Sequence, residues 1–157
     1  MDREQSKFLI KASSIGELEI ISALLQDSIF HKTAHSFHED GRCLRVLMNR
    51  FCWEKEPCID DDQQIFFRVN CGLYIYHVKA IGMSKNFKEI TDHNFLNLLV
   101  VRGNEHSVIL NFSDHNTLKI DVDRIQIYIK DLHDTYPTLS CPVHGERGMP
   151  PVVCAKF

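Results

Sequence analysis

No apolar run in the chain approaches the roughly 20 residues that a helix needs to cross a bilayer. The opening, MDREQSKFLIK, is charged and holds no continuous hydrophobic stretch, so it predicts no secretory signal. Seven glycines are too few to expect a glycine-rich nucleotide loop. Neither the phosphate-binding G-x-x-x-x-G-K-[ST] pattern nor a G-x-S-x-G nucleophile elbow occurs. Positive charge is not in excess: the net charge of −3 offers no bulk attraction to nucleic acid or to an anionic membrane. Basic residues are not interleaved with aromatics along the chain. Together these absences predict a cytoplasmic protein with no cofactor and no nucleic-acid or membrane partner. Its six cysteines are expected as reduced thiols.

What is present is globular in character. The chain is 44% hydrophobic and 25% charged, which is enough apolar residue for a core. A length of 157 residues suits one domain, expected over 1–140, followed by a tail over 141–157. The tail holds most of the prolines and no amphipathic period, which predicts an extended surface segment.

Residues 13–28 predict an amphipathic helix. Ser13 or Ser14 can cap it, Glu17 stands three residues after Ser14, and Ile15, Leu18, Ile21, Leu24 and Leu25 follow at helical spacing. The period then changes. SIFHKTAHSF and CLRVLMNRFCWE predict a hairpin, with Asp40-Gly41 supplying a turn that tolerates positive φ. EKEPCIDDDQ reads as a loop. QIFFRVNCGLYIYHVKAIGM reads as one bent strand with a bulge at Gly72, or as a second hairpin. SKNFKEITDHN reads as a polar connection with room for a helical turn. FLNLLVVRGN and HSVILNFSD predict a hairpin around Gly103-Asn104, and NTLKIDVD a last strand. VDRIQIYIKDLHDTYP predicts a C-terminal helix on the stripe Ile125, Ile129 and Leu132, although alternation of Ile125, Ile127 and Ile129 leaves a strand open at its start. The expected fold is α+β: an antiparallel curved sheet or small barrel, pleckstrin-homology-like in its order of elements, with an N-terminal and a C-terminal helix.

Chemistry is sparse. Cys141, His144 and Cys154 include a chelating C-x-x-H spacing, but a tetrahedral zinc set lacks its fourth ligand, and no metal site is expected. His31 and His35 would share one face of a helix, yet on a strand they stand roughly 13 Å apart, too far to hold one ion. Cys43, Cys52 and Cys71 lie in or beside apolar strands, where cysteine serves as a small hydrophobe. Asp60, Asp61 and Asp62 lack calcium-loop spacing and read as a solvated loop.

The segment NRFCWE, residues 49–54, breaks this plainness. On a strand, Leu47, Asn49, Phe51 and Trp53 share one face, and Met48, Arg50, Cys52 and Glu54 the other. Asn49 among apolar neighbours needs a hydrogen-bond partner, and the end of the first helix at Gln26 and Asp27 is the nearest source of unpaired backbone. One reading is a structural clasp, with Asn49 or Arg50 tied to Gln26-Asp27 and Arg50 forking onto Asp27. The other is a recognition patch of Arg50, Trp53 and Glu54. The candidate binding residues are therefore Gln26, Asp27, Asn49, Arg50, Trp53 and Glu54.

These motifs carry a resemblance. Leu18, Ile20, Ser22, Ala23, Gln26 and Asp27, then Asn49, Arg50, Phe51, Trp53 and Glu54, then Leu118, Ile120, Asp121 and Val122 resemble the pattern of family 2948 among the domains of unknown function. That family is found mainly in alphaproteobacteria. The chain departs from its pattern at Glu17, Ser28 and Asp123. The resemblance implies an intracellular bacterial protein with a single domain, and it brings no reaction, cofactor or catalytic residue.

Two function classes follow. The first is a non-catalytic binding or adaptor module for a protein partner, with a homodimer as one form of assembly. The alternative is a small enzyme or enzyme accessory with a pocket near Asp27, Arg50, Glu54 and His77.

Overall fold

The computed structural model describes residues 8–142. In chain order its elements are β1 (Leu9–Ala12), α1 (Ile15–Leu25), β2 (Ile29–His31), β3 (His35–His38), β4 (Cys43–Phe51), β5 (Cys58–Asp60), β6 (Gln63–Ile75), β7 (Val78–Met83), α2 (Lys85–Lys88), β8 (Phe95–Asn104), β9 (Ser107–Phe112), β10 (Thr117–Val122), β11 (Ile127–Asp131) and β12 (Tyr136–Thr138). The strands join in one antiparallel sheet, in the order β1-β11-β6-β4-β2-β8-β9-β10-β7. The short strands β12 and β5 pair with β6, and β3 with β4. The sheet is open, with β1 and β7 at the ends of this order.

Helix α1 starts as its sequence dictates. The Ser14 hydroxyl accepts from the Glu17 backbone N–H and donates to the Glu17 carboxylate at 3.0 Å. Leu18, Ile21 and Leu25 are its buried stripe. They join a core made by the inward residues of both ends of the sheet, including Val46, Leu73, Ile129, Leu98, Leu110 and Leu118. The helix end is sewn to β8: the Asp27 N–H donates to the Leu98 carbonyl at 2.8 Å, and the Leu98 N–H to the Ser28 carbonyl at 2.9 Å.

The hairpin of β3 and β4 forms around Gly41, which has a φ of 72°, but the expected first strand is broken in two: Ile29–His31 forms β2 and pairs chiefly with β8. Other expectations are corrected. The segment around Asp60 is not all loop: β5 pairs with β6 across Asp61 and Asp62, both at positive φ. Strand β6 runs without a bulge at Gly72, its register with β4 continuous from Leu44↔Ile75 to Phe51↔Arg68. The predicted C-terminal helix is a strand. Ile127 and Ile129 are buried while Tyr128 and Lys130 point outward, so alternation overrides the helical stripe. Strand β11 fills the gap between β1 and β6 and satisfies the backbone of both. The pleckstrin-homology-like order required a closing helix at this point and fails with it. Strand β10 is consequently not the last.

Candidate functional site

The sequence-predicted residues converge around the far end of β4, in two layers separated by the sheet. On the inner side lies Arg50, with no exposed surface. Strand alternation puts it in line with Val46 and Met48, facing the core. A guanidinium there must be paired. Its Nε and one terminal nitrogen donate to the two Asp131 oxygens, both at 2.9 Å. Its terminal nitrogens also donate to the two Glu54 oxygens, at 2.9 and 2.7 Å. The Phe8 ring lies 4.4 Å from the guanidinium carbon.

The electrostatics follow from this packing. Burial works to lower the Arg50 pKa, but the hydrogen bonds it donates to Asp131 and Glu54 prevail and raise it. Burial likewise works to raise the Glu54 carboxyl, and the bonds from Arg50 outweigh it, so that carboxyl sits below its usual range. Neighbouring thiols move the other way. Burial pushes Cys52 up to about 11 and Cys71 up to about 12.

On the outer side, the Asn49 amide donates to the Asn70 side-chain oxygen at 3.0 Å and to the Tyr136 hydroxyl at 2.7 Å. Arg68 donates to the backbone and side-chain oxygens of Asn49, both at 3.3 Å. Asn49 is therefore half-buried among polar groups rather than set in an apolar pocket. Trp53 makes the link to the helix end. Its indole N–H donates to the Gln26 carbonyl at 2.9 Å, satisfying one of the acceptors left by the last turn of α1.

A clasp thus exists, with different partners from those expected. Gln26 is tied by Trp53, not by Asn49. Arg50 forks onto Asp131 and Glu54, not onto Asp27. The pocket of the alternative reading is not assembled either. Asp27 lines a polar cavity of about 260 Å³ with Arg68, Asn97, Ser140, Cys141 and Pro142, without Arg50, Glu54 or His77. His77 sits at the other end of β6, in the turn to β7, bonded to Gln126 at 2.6 Å. Strand register puts Arg50 beside Val69 and Leu44 beside Ile75, so roughly 20 Å of strand separates the two regions.

Sequence reasoning missed Asp131, Phe8, Asn70, Arg68 and Tyr136. The signal for Asp131 was present: it continues the inward series Ile127 and Ile129, and a carboxylate at such a position requires a cationic partner. Phe8 is placed by β1, a strand the sequence reading did not pick out.

The metal-ligand candidates are dispersed. His31 makes a contact with Thr33, its Nδ1 2.7 Å from the hydroxyl, and stands edge-on to Phe95. His35 packs against Phe30 and Phe87. Among the described residues no group of three histidine, cysteine or acidic side chains is placed to hold an ion. Cys43, Cys52, Cys58 and Cys71 are free thiols. His144 and Cys154, with most of the predicted tail, lie outside the described residues.

An open antiparallel sheet with few helices, with a buried arginine–carboxylate knot at the far end of β4, is the class of protein these observations define. The chain belongs to the family described as "Protein of unknown function (DUF2948)", which matches over residues 9–144. No curated protein and no solved structure matches it. Among the described residues no helix is long and apolar enough to cross a membrane.

Proposed function

We propose that the protein is a cytoplasmic, non-catalytic binding module whose partner is another protein. The observation that carries this reading is the internal use of the polar residues around β4. Arg50 spends four hydrogen bonds on two carboxylates of its own chain and is wholly buried. A guanidinium so engaged is not available to bind an anionic substrate or to stabilise a developing charge. Asn49 and Trp53 are engaged in the same way, with Asn70, Tyr136 and Gln26. The titratable groups proposed for a catalytic pocket are held at opposite ends of β6. What remains for function is surface.

The test is site-specific photo-crosslinking from exposed strand positions in the producing cell, followed by reconstitution of the captured protein with the purified chain. A stoichiometric complex of the two pure proteins supports the module. A native mass spectrum showing a small molecule that the purified chain converts to product would replace it with an enzyme.

A further inference from the structure

The chain has four tyrosines, and folding gathers all of them on one face. Residues paired across an antiparallel ladder project from the same side of the sheet. On the outer side of β1, β11, β6 and β4, register sets Lys11 beside Tyr128, Tyr128 beside Tyr74, and Tyr74 beside Arg45. The next row is Leu9, Lys130, Gly72 and Leu47. Beyond it come Asn70 beside Asn49, and then Arg68 beside Tyr136. Tyr74 lies across Gly72 so closely that a Cβ there would stand 2.7 Å from the ring; glycine is what lets the ring lie flat on the sheet. Tyr76 stands edge-on to Tyr128, their centroids 5.5 Å apart. A depression of about 370 Å³ opens among Leu9, Arg45, Tyr74, Tyr76, Tyr128 and Lys130.

The charge on this face is one-sided. Its outward strand positions, 9–11, 45–49, 68–74 and 128–130, carry Lys11, Arg45, Arg68 and Lys130 and neither aspartate nor glutamate. Asp27 lies beside Arg68 at the edge of this face, and the rest of the acidic residues behind the net charge of −3 lie off its strand positions.

We propose that this face docks an acidic, extended segment of a protein partner. Charge complementarity calls for an anionic ligand. Two features favour a polypeptide over single-stranded nucleic acid. The Lys11 ammonium lies 5.5 Å from the Tyr128 ring centre and the Arg45 guanidinium 5.8 Å from that of Tyr74, so cations already cover ring surface that a base needs for stacking. Leu9 and Leu47 flank the rings half exposed, offering apolar contact that a phosphate backbone does not use. Tyrosine and arginine are enriched among the residues that anchor protein interfaces. The proposal rests on the binding-module reading and names its surface and the chemistry of its partner.

The experiment is fluorescence anisotropy on the full chain with three labelled probes: a peptide of alternating glutamate and leucine, the same peptide with glutamine for glutamate, and a short oligouridylate. The acidic peptide is expected to bind at submillimolar concentration, roughly tenfold tighter than the glutamine peptide. Raising the salt from about 0.05 to 0.3 M should weaken it several-fold. R45E/K130E should lose roughly tenfold in affinity, and R45Q/K130Q less, both at an unchanged melting temperature because these side chains are exposed. No binding of the acidic peptide, binding indifferent to charge reversal, or tighter binding of the oligouridylate would overturn the proposal. A reconstituted partner complex that survives R45E/K130E intact would also overturn it, while leaving the binding-module reading standing.

Discussion

Arg50 is the residue whose surroundings decide most. Removing one partner of a buried pair costs more than removing the pair, because the remaining charge keeps its desolvation cost without compensation. Glu54 still neutralises Arg50 when Asp131 is removed, so Asp131→Asn is expected to destabilise by about 1–3 kcal/mol, the cost of weakening two buried charge-assisted hydrogen bonds, in urea denaturation. Arg50→Met combined with Asp131→Leu should recover most of that loss, and a double variant as unstable as the single one would refute the account. Glu54 adds a pH dependence. Its carboxyl is depressed in the folded state, so its contribution is complete above the usual carboxylate pKa and is lost as pH falls through the folded value. Glu54→Gln should flatten the acid limb of the stability–pH curve below about pH 4.5 and leave its neutral region with a similar slope. At the same scale, iodoacetamide near neutral pH should label the exposed Cys58 and spare Cys43, Cys52 and Cys71 until the chain unfolds. Those three thiols are buried, and burial raises each of them above the ordinary thiol range.

Among the elements, the hairpin of β5 and β6 offers the clearest measurement. Asp61 and Asp62 have φ values of 47° and 62°, a pair that a two-residue hairpin turn fills best with Asn-Gly. D61N/D62G should stabilise the chain by about 0.5–1 kcal/mol, read as a raised melting temperature. The elements also show where sequence reading reaches and where it stops. Helix α1 and the β3–β4 hairpin were legible because cap, period and turn residues agree locally; the β8–β9 hairpin was legible from its period alone, since Gly103 and Asn104 lie in β8 and the turn is at Glu105-His106. Strand β11 was not, because IQIYIKDL satisfies a helical stripe nearly as well as an alternating one. The choice is made by a vacant place between β1 and β6, about which local sequence says nothing. The clasp shows the same limit. That the carbonyls at the end of α1 require a donor follows from any helix, but that Trp53 supplies it depends on how the chain turns after Phe51.

For the whole molecule, one core joins α1 to both ends of the sheet. The chain should therefore unfold as a unit. Trp53, the single tryptophan, touches both α1 and the end of β4, so its fluorescence reports on their junction. Denaturation followed by Trp53 emission and by far-ultraviolet circular dichroism should give coincident midpoints; separated midpoints would divide the core into independent parts. The gathering of four tyrosines on one face is a property of this scale and is invisible below it. They fall at 74, 76, 128 and 136, and only the register of five strands brings them together with Lys11, Arg45 and Lys130.

The knot at Arg50 also has a consequence in time. Asp131 follows it by 81 residues, and at synthesis rates of about 5–20 residues per second the ribosome needs roughly 4–16 s to supply it. Until then Arg50 has Glu54, four residues on, but lacks half of its four hydrogen bonds. The packing of this end of the core around Arg50 is therefore completed only after β11 has been made.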